Sequence, residues 1–210
     1  MGDYITVIGT SKAEYEEKRS RFIASLCHVE SEAEAMEFIE KIRTEYWDAR
    51  HNCFAYSVNG GRYSRFSDDG EPHGTAGKPI LEVINGNKIN DVVIVVTRYF
   101  GGVLLGTGGL VRAYSTSARD SVLAAQKAVM IPCTKYETVC EYTDHNKLVS
   151  LLENRNAKIE DTEYTDKVKI SYIFKDSDFA PFATDLQEYF SARLTADEVE
   201  RIISPFEIDL

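Results

Sequence analysis

The chain has 210 residues, 43% apolar and 28% charged, a globular balance that allows one large or two modest domains. No run approaches the roughly 18 apolar residues of a membrane span, and Met1 to Lys12 lacks the basic-then-apolar order of a secretory signal. A cytoplasmic location without membrane contact is therefore expected. The net charge of −10 is uneven: residues 1–130 carry 15 Lys and Arg against 17 Asp and Glu, and residues 131–210 carry 9 against 17. Bare phosphate would be repelled by the second part at long range, so any nucleic-acid contact falls to the first.

In chain order, Tyr15 to Val29 alternates toward its end as a strand does. Ser31 and Glu34 form a capping box, and Ala35, Phe38, Ile39 and Ile42 follow at helical spacing to about Trp47. Asn52 to Val58 reads as a strand, Asn59-Gly60-Gly61 as a hairpin turn, and Arg62 to Phe66 as the returning strand. Ser67 to Pro79 then holds three glycines and two prolines and is expected to be a loop, functional or disordered. Ile80 to Ile84 suits a strand slightly better than a helix, and Asn85-Gly86-Asn87 ends it. Val92 to Val96 is a β-branched run, the pattern of a central strand buried on both faces. A glycine-rich stretch follows, then a helix to about Lys127.

The pattern breaks near Val129 to Pro132. Beyond it come a strand over Lys135–Tyr142, a helix over Asp144–Asn154, strands over Ala157–Tyr164 and Lys167–Phe174, a helix over Asp178–Arg193 and a last strand over Glu200–Ile208. That order, βαββαβ, is ferredoxin-like. The expected architecture is α+β with two domains, residues 1–130 and 131–210.

Chemistry is concentrated in the two glycine-rich segments. In the second, the buried strand ends at Arg98-Tyr99-Phe100, and Gly101, Gly102, Gly106, Gly108 and Gly109 lead into a helix. Helix N-termini offer unpaired N–H groups and partial positive charge, and glycines let a ligand approach the backbone. With Arg98 and Arg112 flanking it, this is an expected anion cradle, to which Arg50 and Tyr99 are added. The pattern is not a P-loop, since Thr107 stands where the lysine belongs. The competing reading is that these glycines only permit tight packing and turns.

The first segment holds Asp68, Asp69, Gly70, Glu71, Pro72, His73, Gly74, Thr75 and Gly77. Its acids could hold a divalent cation. The favoured reading is a rigid loop whose acids bind backbone N–H groups or nearby arginines. Cys27, His28, His51 and Cys53 fall on separate strands, so core cysteines are expected rather than a zinc site. A Cys–His pair such as His51 and Cys53 without an orienting third group is a weak basis for catalysis. No metal or cofactor is expected, and no catalytic residue is assigned.

Ser67 to Pro79 and Arg98 to Tyr114 resemble the two hallmark motifs of the YigZ/IMPACT family, and Lys18 to Ala24 and Asp48 to Cys53 resemble its earlier motifs. The resemblance implies a first domain like domain IV of the ribosomal translocase and a second like its domain V. It further implies association with RNA, the ribosome or the translation machinery, with a role in regulating translation. Eukaryotic relatives act on the activation of a starvation-responsive initiation-factor kinase, but with a different partner domain. The acidic second domain offers a surface for a protein partner. The alternative is an enzyme or sensor that binds a phosphorylated small molecule at the glycine-rich loop, with a divalent cation held by Asp68, Asp69 and Glu71.

Overall fold

The structure, a computed structural model, describes residues 3–207 and the side chains of residues 3–204. Ile208, expected in the last strand, lies outside the described residues. The elements are β1 (Tyr4–Val7), β2 (Thr10–Glu17), β3 (Ser20–His28), α1 (Glu32–Glu45), β4 (His51–Val58), β5 (Tyr63–Ser67), α2 (Gly77–Gly86), β6 (Val92–Tyr99), α3 (Gly106–Leu123), β7 (Lys127–Cys140), α4 (Tyr142–Asn154), β8 (Lys158–Tyr164), β9 (Val168–Lys175), α5 (Phe179–Tyr189) and β10 (Asp197–Glu207). The chain divides into two compact units, Tyr4–Met130 with the chain from Pro205, and Ile131–Ser204 with Asp3.

In the first unit one antiparallel sheet runs β2-β3-β6-β4-β5. Inserting β6 between β3 and β4 leaves those two parallel, and α1 joins them in a split βαβ unit. The β-branched run of β6 is buried on both faces, as its composition requires. Val93 and Val95 pack with Ala35, Ile39 and Ile42 of α1. Val92, Ile94 and Val96 pack with Ile80 and Ile84 of α2 and with Ala113, Tyr114, Ala118 and Val122 of α3. α1 starts where the capping box puts it: Ser31 Oγ accepts the Glu34 N–H at 3.2 Å, and Glu34 Oε2 accepts the Glu30 N–H at 2.9 Å.

Three expectations change. Tyr15 to Val29 is not one strand but the end of β2, a turn and β3. Lys18 and Arg19 make that turn at φ 48° and 67°, the left-handed geometry of a two-residue hairpin that usually calls for Asn or Gly. Nothing in Lys-Arg signals it. Ile80 to Ile84 is helical, within α2. The helix from Arg98's loop stops at Leu123, and the next strand, β7, begins at Lys127 and runs 14 residues, pairing first with β1.

The α2 correction has a definite cause. Its N-cap residue, Ala76, has no capping side chain, and the carboxylate of Asp68 supplies one from outside the helix. Asp68 Oδ1 accepts the N–H groups of Ala76 at 3.0 Å and Gly77 at 2.9 Å, and Oδ2 accepts that of Gly74 at 2.8 Å. Pro79 falls in the first turn, where its missing N–H costs nothing. Ile80, Val83 and Ile84 then bury one face.

The second unit has the expected α+β order. Its sheet runs β8-β9-β7 with β10 on the far side of β7, the ferredoxin-like arrangement. Leu148 and Leu152 of α4 and Phe182 and Leu186 of α5 pack on Ile170, Tyr172 and Phe174 of β9.

Burial alone would raise the pKa of Asp68, but the N–H groups of Gly74, Gly77 and Ala76, with His73 nearby, hold it below the ordinary aspartate value. Its contribution to stability is thus complete above about pH 4 and is lost as pH falls through the lowered folded value. Replacing Asp68 by Ala should cost about 2 kcal/mol, by analogy with a lost helix cap. Urea titrations from neutral to strongly acidic pH should show the D68A chain losing part of the acid-side decline; an unchanged curve would contradict the capping role.

Candidate anion-binding site

The motif loop after β5 spends its acids on structure. Besides Asp68 at α2, Asp69 Oδ2 accepts the Asn52 N–H at 2.7 Å, and Asp69 Oδ1 lies 3.2 Å from Arg43 Nη2. The Asp69 carbonyl is 2.8 Å from His51 Nδ1. Gly70 turns at φ 85° beside the His51 ring. The exposed Pro72 offers its carbonyl to Thr75 N–H at 3.0 Å and Thr75 Oγ1 at 2.6 Å. Gly77 sits so tightly on Ser67 that a Cβ would lie 2.7 Å from its backbone.

Glu71 enters the core. Arg98 Nη1 donates to Glu71 Oε1 at 2.6 Å, and the Tyr114 hydroxyl donates to the same oxygen at 2.8 Å. Arg98 and Glu71 are only 7% and 9% exposed. The guanidinium is held between the rings of Phe22 and Phe100, 5.5 and 5.6 Å from their centroids. Cys53 Sγ completes the cluster, 3.4 Å from the Tyr114 hydroxyl and 3.0 Å from the Asp68 carbonyl. Burial pushes the Cys53 thiol and the Tyr114 phenol well above their ordinary values, so Cys53 is no ready thiolate nucleophile.

One expectation and one less-favoured alternative fail on this geometry. Arg98 was expected to meet a phosphate; it is withdrawn into the core and committed to Glu71. Asp68, Asp69 and Glu71 were considered as a cation site; each is held by different partners, and no cluster of three or more His, Cys, Asp or Glu suited to a metal occurs among the described residues.

The open surface lies on the other glycine segment. Gly101 seats against the β2–β3 turn, where a Cβ would come within 2.1 Å of the Arg19 carbonyl carbon, and its N–H donates to Ser20 Oγ at 3.1 Å. Gly102 and Gly106 turn at φ 84° and 71°; they and Gly108 face open space, while Gly109 packs near Leu105 Cβ. α3 begins at Gly106 with no side-chain cap, leaving first-turn N–H groups for an external acceptor. Between this helix start and the hairpin lies a 420 Å³ cleft lined by Tyr15, Glu17, Lys18, Leu105, Gly109, Arg112 and Ala113. Lys18, Arg19 and Arg112 are exposed, and among the described residues none has an ion pair. Glu17, whose carboxylate accepts the Tyr15 hydroxyl at 2.9 Å, is the one acid in the lining.

Of the expected cradle, Arg112 and Gly109 thus line the cleft. Arg50 is exposed just before β4 but does not line it. Tyr99 pairs with Arg21 across the strands, on the sheet face opposite Arg98. Its hydroxyl donates to Asp48 at 2.7 Å, and burial together with that carboxylate pushes its pKa up to about 12. Tyr15, Lys18 and Arg19 were not foreseen as site residues. The only cue was the place of Lys18 and Arg19 in a family-like motif, because the convergence depends on an unsignalled turn.

With this geometry in view, the comparisons with known proteins are specific. The Impact N-terminal domain model matches residues 18–122, and a domain of unknown function (DUF1949) matches residues 138–193. The IMPACT family member YigZ of Escherichia coli is 36% identical over 87% of this chain and 91% of its own. YvyE of Bacillus subtilis, also an IMPACT family member, is 34% identical over 95% and 93%. A protein IMPACT homolog of Dictyostelium discoideum is 35% identical over 48% of this chain and 30% of its own length. A solved structure described as that of a hypothetical protein superposes with TM-score 0.64 at 33% identity, covering 95% of this chain and 98% of that one. The chain belongs to the IMPACT family.

Removing one partner of the buried pair, as in Glu71→Leu or Arg98→Met, should cost about 3–5 kcal/mol, and the double replacement Glu71→Leu with Arg98→Met should cost less than the two summed. Denaturant melts of the four proteins measure this coupling, and additive losses would contradict it. A second comparison separates the glycines. Gly101→Ala should destabilise by about 1–3 kcal/mol or more through overpacking, whereas Gly108→Ala, in open space within a helix, should be neutral or slightly stabilising. Equal effects in thermal melts would refute that division.

Proposed function

We propose that this chain is a cytoplasmic binding protein of the translation apparatus that grips RNA phosphate through the cleft between the β2–β3 hairpin and the start of α3. The observation that carries the reading is the pairing of Lys18 and Arg112, exposed and without ion pairs among the described residues, across a 420 Å³ cleft at an uncapped helix N-terminus. Cationic side chains and backbone N–H groups are the usual partners of phosphate oxygens. Charge balance also favours this unit: residues 1–130 are near neutral while residues 131–210 are acidic. The second unit accordingly suits a protein partner rather than nucleic acid. Among the similar proteins are eukaryotic IMPACT homologues, and the family resemblance of the motifs supports a translation-related role. No reaction is assigned, since the acids that would hold a catalytic cation are consumed in the fold.

Charge reversal tests the site. In Lys18→Glu with Arg112→Glu, affinity for a labelled RNA should fall sharply, and the slope of log K against log salt should shrink by about one to two units, since each phosphate contact contributes about 0.7 on a single strand. Fluorescence anisotropy over a salt series gives both quantities. Binding that survives both reversals with an unchanged slope would refute the assignment. So would a preference for free mononucleotides over RNA, which would favour a small-molecule sensor.

A further inference from the structure

Phe100 is 55% exposed at the end of β6, an unusual position for a phenyl ring beside a buried ion pair. One neighbour is the Arg98 guanidinium, 5.6 Å from the ring centroid, which Glu71 holds in place. Arg98 Nε has no hydrogen-bond partner among the described side chains. Behind Arg98 lies Phe22, at 5.5 Å, and Phe22 meets Tyr15 at a centroid distance of 6.4 Å. Tyr15 lines the cationic cleft. Register puts three of them on one sheet face, Tyr15 pairing with Phe22 and Phe22 with Arg98; Phe100, just past the end of β6, reaches the same guanidinium. The residue after Phe100, Gly101, rests on the backbone of Arg19 and Ser20. An exposed ring, backed by a fixed cation, is thus followed directly by the glycine that seats on the β2–β3 turn, whose Lys18 lines the cleft.

We infer that this site selects single-stranded RNA, with one unpaired base stacked on Phe100 and the adjoining phosphates held by Lys18, Arg19 and Arg112. The inference rests on the phosphate-binding reading above and adds the state of the RNA. A ring offered to solvent gains from a base face, and only unpaired nucleotides expose that face; in a duplex it is covered by neighbouring pairs. Gly102 and Gly106, with open space at their Cα atoms, leave room for a nucleotide to lie close to the loop. Val103 and Leu104 on the same loop are also exposed, at 43% and 83%.

The test uses the full chain and three labelled probes: a single-stranded RNA of about twelve nucleotides, the duplex of equal length, and inorganic polyphosphate. The single strand should bind more tightly than the duplex. Phe100→Ala should weaken single-strand binding roughly tenfold, the loss of one base–aromatic stack, while leaving polyphosphate binding unchanged. Phe100→Trp should restore it, which separates stacking from any loss of cover over Arg98. If polyphosphate and both RNAs bind but the duplex equals the single strand, or Phe100→Ala has no effect on single-strand affinity, the stacking inference is wrong while phosphate binding stands. If no probe binds, both readings fall.

Discussion

A carboxylate and a guanidinium sharing the interior of the first unit set the constraint on which its other features depend. Glu71 comes from the motif loop, Arg98 from the end of the central strand and Tyr114 from α3, and all three meet at one carboxylate oxygen. A buried charge alone is strongly unfavourable, so each partner makes the others obligatory. The long loop after β5 cannot wander without stranding Arg98, and Arg98 cannot turn outward without stranding Glu71. The arrangement ties a loop of irregular backbone to the rigid sheet.

That tie explains why the two glycine-rich segments differ in use. The first is anchored through its acids and its last glycine: Asp68 caps α2, Asp69 holds the start of β4, and Gly77 closes on Ser67. Its glycines and prolines serve geometry. The second is anchored at Gly101, then opens at Gly102, Gly106 and Gly108. Because Arg98 is retained inside, positive charge at the surface comes instead from Lys18 and Arg19 of the hairpin turn and from Arg112 of α3. The pocket is therefore built from the β2–β3 turn and one glycine loop, not from two glycine loops.

The same logic separates what the site does from what it does not. Cys53, with an apolar sheet around it and its thiol directed to Asp68 and Tyr114, contributes packing and hydrogen bonding rather than nucleophilic chemistry. What remains accessible at the cleft is backbone-rich and carries Lys18, Arg112 and Tyr15, with Glu17 its one acid. The ferredoxin-like unit carries most of the chain's net negative charge and has its own core of aromatic side chains around Phe174 and Phe182.

Patterns that depend on near neighbours were legible from the residues alone. The Val92–Val96 run specifies a strand covered on both sides, Ser31 and Glu34 specify where α1 starts, and alternating periodicities beyond Pro132 specify βαββαβ. Family motifs could be recognised because they are contiguous. Tertiary structure decided the rest, through partners far apart in sequence. α2 is a helix because Asp68 reaches its N-terminus from outside. Lys18 and Arg19 turn in left-handed geometry, and Gly101, far along the chain, seats against Arg19 and Ser20. Arg98 became a core residue rather than a ligand contact because Glu71 was folded onto it. An arginine beside glycines looks the same in sequence whether it faces water or an acid; only the placement of the acid determines which environment has the lower free energy.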